Sequence, residues 1–130
     1  MNLKLTYNTI AKNYYQEVSQ KTQWLHNPVI IALFARLPKG VYVLDIGCGP
    51  GIQAREFVKR GCRVVGIDFS EEMVLLAKKN VPKAEFLVMD IKTLHFPSNT
   101  FDCVFAQASL LHIPKKNLRV VLARIRKILK

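Results

Sequence analysis

The sequence predicts an α/β fold built on a doubly wound parallel sheet, and three observations carry that prediction. Val41-Tyr-Val-Leu-Asp-Ile46 is a short, largely apolar run of the kind that forms a buried parallel strand. It leads straight into Gly47-Cys-Gly-Pro-Gly51, where glycine occupies alternate positions, and then into a helical stretch from Ile52. A second apolar run, Arg63-Val-Val-Gly-Ile67, ends in an acid, Asp68. Strand, glycine loop and helix N-terminus together form the place where a sheet of this Rossmann-like kind receives a nucleotide-like ligand.

The elements follow in order. Residues 1–23 read as a polar amphipathic helix, with Tyr7, Ile10, Ala11, Tyr14 and Tyr15 at helical spacing. Trp24 and His26 stand in the connection after it, and Trp24 reads as a packing anchor. Asn27-Pro28 supplies an N-cap and a first-turn proline. The helix from Pro28 to Leu37 is apolar almost all round, so it is expected to be buried against the sheet. Pro38-Lys-Gly40 turns the chain into the first strand. After the loop, Ile52 to Arg60 is a helix and Gly61 suits its C-terminal end. Ser70 caps the next helix, whose first turn holds Glu71 and Glu72 and whose Val74, Leu75 and Ala77 are expected to face inward. Asn80-Val-Pro82 ends it.

A third strand runs from Ala84 to Met89 and is followed by Asp90. Lys92 to Thr100 is a polar loop, Phe101 to Ala106 a fourth strand, and Gln107 to His112 lies beyond that strand's C-terminal end. Pro114 opens a last helix reaching about Leu129. Leu118, Val121, Leu122, Ile125, Ile128 and Leu129 form its apolar face.

The loop's spacing constrains the ligand. A dinucleotide fingerprint is G-x-G-x-x-G, whereas Ile52 stands here where the third glycine would be. Asp45 also points toward the loop, and a pyrophosphate gains nothing from a carboxylate there. A ligand with an ammonium and a sulfonium and no phosphate would use it, and S-adenosylmethionine is such a ligand. Asp45 either contacts the ligand or ties down the loop's amides; the sequence leaves both open. Asp68 is placed to accept both ribose hydroxyls, the alternative being a cap for the next helix. Phe69 and Met73 suit either an adenine face or the core.

Four segments carry a family resemblance. Val43-Leu-Asp-Ile-Gly-Cys-Gly-Pro-Gly51, Gly66-Ile-Asp-Phe-Ser-Glu-Glu-Met73, Phe86-Leu-Val-Met-Asp-Ile91 and Phe101-Asp-Cys-Val-Phe-Ala106 resemble, in order and spacing, the motifs of class I S-adenosylmethionine-dependent methyltransferases. Tyr7-Asn-Thr-Ile-Ala-Lys-Asn-Tyr14 is similar to the Y-D-x-x-A-x-x-Y stretch that closes over the cofactor in many of them, with Asn8 in place of the usual Asp. The resemblance implies a sheet in the order 3-2-1-4 and a cofactor held by Tyr14, Asp45, Gly47, Gly49, Gly51, Asp68, Phe69, Met73, Asp90, Ile91 and Gln107. Asp90 and the Ile91 amide would read adenine's donor and acceptor edge. His112 is the one candidate proton acceptor in its stretch, no metal is implied, and catalysis is mainly alignment of nucleophile, methyl carbon and sulfur. The compact core resembles enzymes with small-molecule acceptors, and RNA-modifying relatives share the tyrosine-containing N-terminus.

Composition sets the remaining expectations. The 130 residues suit a single cofactor-binding domain, helices over 1–37 and the core over 38–130. A net charge of +11 fits either an RNA partner or a solvated basic surface. No apolar run reaches membrane-spanning length, so no membrane partner is expected. Cys48, Cys62 and Cys103 lack metal-type spacing and read as reduced, packed thiols of a cytoplasmic protein. The family pattern continues past Lys130 into a fifth strand and an antiparallel hairpin. A sheet that stops at its fourth strand is partial, a truncated domain in which most substrate contacts are absent. Its fourth strand is expected to form an exposed edge open to homodimerisation.

Overall fold

The computed structural model describes residues 2–18, 23–107 and 109–130, with the side chains of 12–18 left aside. Its elements are α1 (Leu3–Val18), α2 (Pro28–Arg36), β1 (Tyr42–Ile46), α3 (Ile52–Lys59), β2 (Arg63–Asp68), α4 (Glu71–Asn80), β3 (Glu85–Val88), β4 (Cys103–Phe105) and α5 (Lys115–Ile128). Short 3-10 turns occupy Gln23–His26, Ile91–Thr93 and Leu110–His112. The strands form one parallel sheet in the order β3-β2-β1-β4. That is the order the resemblance implied.

Both faces of the sheet are covered over β1 and β2, whose inner residues are apolar on both sides, while β3 buries only Phe86 and leaves Glu85, Leu87 and Val88 exposed. Val43, Val64, Phe86 and Phe105 face one way and pack with Ala54 and Phe57 of α3 and Val74 and Ala77 of α4. Leu44, Ile46, Val65 and Ile67 face the other way and meet Leu94, Phe101 and Ile128. An aromatic series ties the first layer together: Trp24 to Phe34 at 6.1 Å, Phe34 to Phe57 at 5.1 Å and Phe57 to Phe105 at 5.2 Å between ring centres. Trp24 is therefore a packing anchor.

Local chemistry sets the element boundaries. Asn27 Oδ1 accepts the Val29 amide at 2.9 Å, and Pro28 follows as the first helical residue. Ser70 Oγ accepts the Met73 amide at 3.2 Å, capping α4. Asp102 is structural: its Oδ2 accepts the Tyr42 amide at 2.8 Å, and its Oδ1 lies 3.2 Å from Lys130 Nζ.

Several expectations need correcting. α2 is not buried all round: Ile30 is buried, while Val29 is 74% and Ile31 54% exposed. A single layer of contact through Ile30, Leu33 and Phe34 covers only one side of that helix. Leu75 and Leu122 also point outward, because α4 and α5 each turn a narrower stripe to the sheet than their apolar residues allow. β4 is three residues long rather than the six of Phe101 to Ala106. Phe101 instead makes a bridge to Leu129, donating to Ile128 O and accepting from Lys130 N, both at 2.9 Å. The end of α5 thus covers the start of the expected edge, and the open part is Cys103–Phe105. Among the described residues, no helix is long and apolar enough to cross a membrane.

Gly66, in the middle of β2, shows how tightly these layers meet. A Cβ there would lie 2.6 Å from Phe86 Cδ1 and 2.9 Å from Cys48 Cβ. Gly66→Ala is predicted to cost about 1–3 kcal/mol of stability through overpacking. Urea denaturation measures this, and an unchanged midpoint would mean that the Phe86 ring yields freely.

Candidate functional site

A cavity of about 750 Å³ opens at the C-terminal ends of the strands and is roofed by the N-terminal part of α1. Its floor is the glycine loop after β1. Gly47, Gly49 and Gly51 all have positive φ, of 69°, 52° and 91°, a region that L side chains rarely enter. The three serve different ends. A Cβ on Gly47 would fall 2.6 Å from Ser109 Cβ, so its absence lets the segment after β4 close against the cavity wall. Ser109 holds that closure by donating from Oγ to Ile46 O at 3.1 Å. A Cβ on Gly51 would meet Val81 Cγ2 at 3.0 Å, so this glycine lets α3 start close against α4. Gly47 and Gly49 line the cavity; Gly51 is buried behind it.

Three further bonds fix the loop. The Cys48 amide donates to Ile67 O at 2.9 Å, Asn80 Nδ2 donates to Pro50 O at 2.9 Å, and the Gly49 amide donates to Asp68 Oδ2 at 2.9 Å. Asp68 Oδ1 accepts the Ser70 amide at 3.0 Å. One carboxyl group at the end of β2 thus joins the glycine loop to the first turn of α4 and still lines the cavity. Burial pushes its pKa up, against the Ser70, Gly49 and Phe69 amides, which pull it down.

Asp45 lies elsewhere. It is 2% exposed, does not line the cavity, and its Oδ2 has no hydrogen-bond partner. In this structure Asp68 rather than Asp45 takes the Gly49 amide. Burial, and then the nearby Asp68 carboxylate, push the Asp45 pKa up to about 8. At neutral pH it is the uncharged acid, which tolerates an unpartnered oxygen far better than a buried carboxylate would. Burial likewise pushes the Cys48 thiol up, consistent with a packed rather than a reactive group.

The remaining walls come from all the candidate segments. Phe69 and Met73 line the side formed by the start of α4, and Asp90 and Ile91 the side beyond β3. Asp90 Oδ1 accepts the Lys92 amide at 2.9 Å, so it also shapes its own turn. Gln107 lines the cavity with its Oε1 held by Gln53 Nε2 at 3.0 Å. His112 lies at the mouth, where its Nε2 approaches Tyr7 Oη to 3.5 Å. The Tyr7 ring meets Phe69 edge-on at 5.8 Å. Tyr14 belongs to α1, but its side chain is outside the described residues.

The sequence pattern put the Tyr7–Tyr14 stretch over the cofactor without giving Tyr7 or Asn8 a role of its own, and it missed Ser109 and Asn80 as supports of the wall and loop. Asn80 and Ser109 act on backbone carbonyls remote in sequence, which no local pattern announces. Tyr7 shares α1's inward stripe with Ala11, and that periodicity was the available signal.

A family model described as "Methyltransferase domain" matches residues 43–130. Sterol 24-C-methyltransferase ERG6B of Gibberella zeae is 39% identical over 98 residues, 70% of this chain and 25% of that protein. Trans-aconitate 2-methyltransferase of Shigella flexneri serotype 5b is 36% identical over 88 residues, 65% of this chain and 34% of that protein. Among solved structures, a Haemonchus contortus phosphoethanolamine N-methyltransferase, in complex with phosphomonomethylethanolamine and S-adenosylhomocysteine, aligns with a TM-score of 0.72. It is 31% identical and covers 82% of this chain and 26% of that one. The chain spans about a quarter to a third of the length of the curated relatives it matches.

Asp45 predicts a pH dependence of stability. Its pKa rises from 3.8 unfolded to about 8 folded, so between those values the folded state holds a proton that the unfolded state has lost. Asp45's contribution to stability is therefore full below about pH 4 and is lost as pH rises toward about 8. Asp45→Asn, neutral and of equal size, is predicted to flatten that fall in urea titrations run across the range. An unchanged slope would contradict the assignment.

Proposed function

The chain belongs to the class I S-adenosylmethionine-dependent methyltransferases, and from that premise we propose that it holds the cofactor in the cavity beneath α1 and passes the methyl group to a small-molecule acceptor. The observation that carries the reading is Asp68. Its two oxygens accept the Gly49 and Ser70 amides, and the group lines the cavity with further lone pairs of the carboxylate to offer. That leaves acceptor capacity for a vicinal pair of hydroxyls, the chemistry of a ribose.

The other residues fit the rest of such a ligand. Asp90 and the Ile91 backbone stand where a base with an amino donor beside a ring acceptor would be read. Gly47 offers backbone without a side chain, beside Gln107 and Ser109, for an amino-acid tail. When bound, the cofactor supplies an activated methyl on a sulfonium, so the protein's task is alignment. His112, at the mouth beside Tyr7, is placed to take the proton that an oxygen or nitrogen acceptor must shed.

A second reading, an RNA acceptor, is favoured by one observation. A shallow cleft of about 340 Å³ is lined by His95, Arg124 and Lys127 with Leu94, Phe96 and Ile128, and by no acid. Phosphate contacts there would bind anionic polymer in a salt-dependent way. Transfer of a labelled methyl group to RNA, with none to small acids and amines, would select this reading. Transfer to no acceptor at all would leave a cofactor-binding module without catalysis.

Calorimetry tests the shared premise. The chain is predicted to bind S-adenosylmethionine and not NAD, and Asp68→Ala to weaken binding by roughly tenfold or more, as for loss of hydrogen bonds to a charged group. Equal affinity in the variant would remove Asp68 from the site.

A further inference from the structure

The turn Asp68-Phe69-Ser70-Glu71 does more than end a strand and start a helix. Its last three residues each engage α1. The Phe69 ring meets Tyr7. The Ser70 hydroxyl donates to Asn8 Oδ1. Glu71 Oε2 accepts from Asn8 Nδ2 at 3.0 Å, and its Oε1 pairs with Lys4 Nζ at 2.6 Å. The Glu72 amide reaches Asn8 Oδ1 at 3.4 Å. The first residue, Asp68, faces the cavity.

These bonds run in series. Asn8 Oδ1 receives the Ser70 hydroxyl, the Ser70 amide donates to Asp68 Oδ1, and Asp68 Oδ2 receives the Gly49 amide. Ser70 is fully buried with α1 in place, and Asn8 Oδ1 is the acceptor that its hydroxyl uses there. Asn8 also acts as acceptor and donor together. Its oxygen serves Ser70 and Glu72, and its amide nitrogen serves Glu71. A carboxylate in its place would keep the first pair of bonds and set two negative charges against each other about 3 Å apart.

We propose that Asn8 is a positioning residue of the donor site: its carboxamide couples the seating of α1 over the cavity to the orientation of Asp68. This rests on the reading of the cavity as an S-adenosylmethionine site. The coupling works both ways. A ligand held by Asp68 fixes the turn on which α1 docks, and a docked α1 fixes the carboxylate that the ligand meets. Lys4 and Tyr7, which line the cavity from the same helix, are brought in by the same event.

The test is a charge cycle in the full chain. Asn8→Asp is expected to raise the S-adenosylmethionine Kd about five- to tenfold in calorimetry. Adding Glu71→Gln to it removes the repulsion and returns a donor to the pair. That double variant is expected to recover the parent Kd within about twofold. Asn8→Ala, which deletes every bond, should weaken binding at least as much as Asn8→Asp. Hydrogen exchange of the α1 amides at residues 3–8 should quicken in Asn8→Asp and recover in the double variant, without ligand. A Kd within twofold of the parent for Asn8→Asp, or no recovery with Glu71→Gln, overturns the proposal. A parent chain that binds no S-adenosylmethionine overturns the reading of the cavity instead, and the exchange arm then decides the docking role by itself.

Discussion

The carboxylate of Asp68 is the constraint on which the site depends. The end of β2, the glycine loop and the first turn of α4 are three separate pieces of backbone, and the Asp68 oxygens take an amide from each of the latter two. A buried carboxylate needs such donors to stay ionised, and the loop amides need an acceptor, so each requirement answers the other. Asp45 nearby shows the opposite solution. With no donor at Oδ2 and a negative neighbour, it keeps its proton. Two acids in adjacent strands thus meet different surroundings, and the one that receives backbone amides is the one that reaches the cavity.

Glycine makes that arrangement possible by removing side chains where layers converge. Gly66 lets Phe86 and Cys48 close over β2, and Gly47 lets Ser109 bring the segment after β4 to the rim. Gly51 works on neither the strand nor the ligand side, but on the contact between α3 and α4. The loop is therefore a packing device as much as a binding one. Its positive φ values are sustained by the bonds to Ile67, Asp68 and Asn80.

Much of this was legible in the sequence where the signal is local. Asn27 and Ser70 announce their caps, the apolar runs announce parallel strands, and Asp68 announces itself by ending one of them beside a glycine loop. What escaped depends on contacts distant in sequence. Asn8 reads as a mild departure from an aspartate pattern, and only the approach of Glu71, some sixty residues on, gives the amide its reason. The exposure of Val29, Ile31, Leu75 and Leu122 was equally hidden, because a helix can carry more apolar residues than its neighbours cover. β4 proved short because the end of α5, rather than another strand, takes Phe101's backbone bonds. Asp45's neutrality required knowing which of two nearby acids receives the amides.

Amide hydrogen exchange at Gly49 and Ser70, followed by NMR in the ligand-free chain and in Asp68→Ala, tests the role of Asp68 most directly. The account predicts slow exchange at both amides in the parent and markedly faster exchange at both in the variant, with the β1 and β2 amides unchanged. Loop-like exchange at Gly49 in the parent, or no difference in the variant, would contradict it.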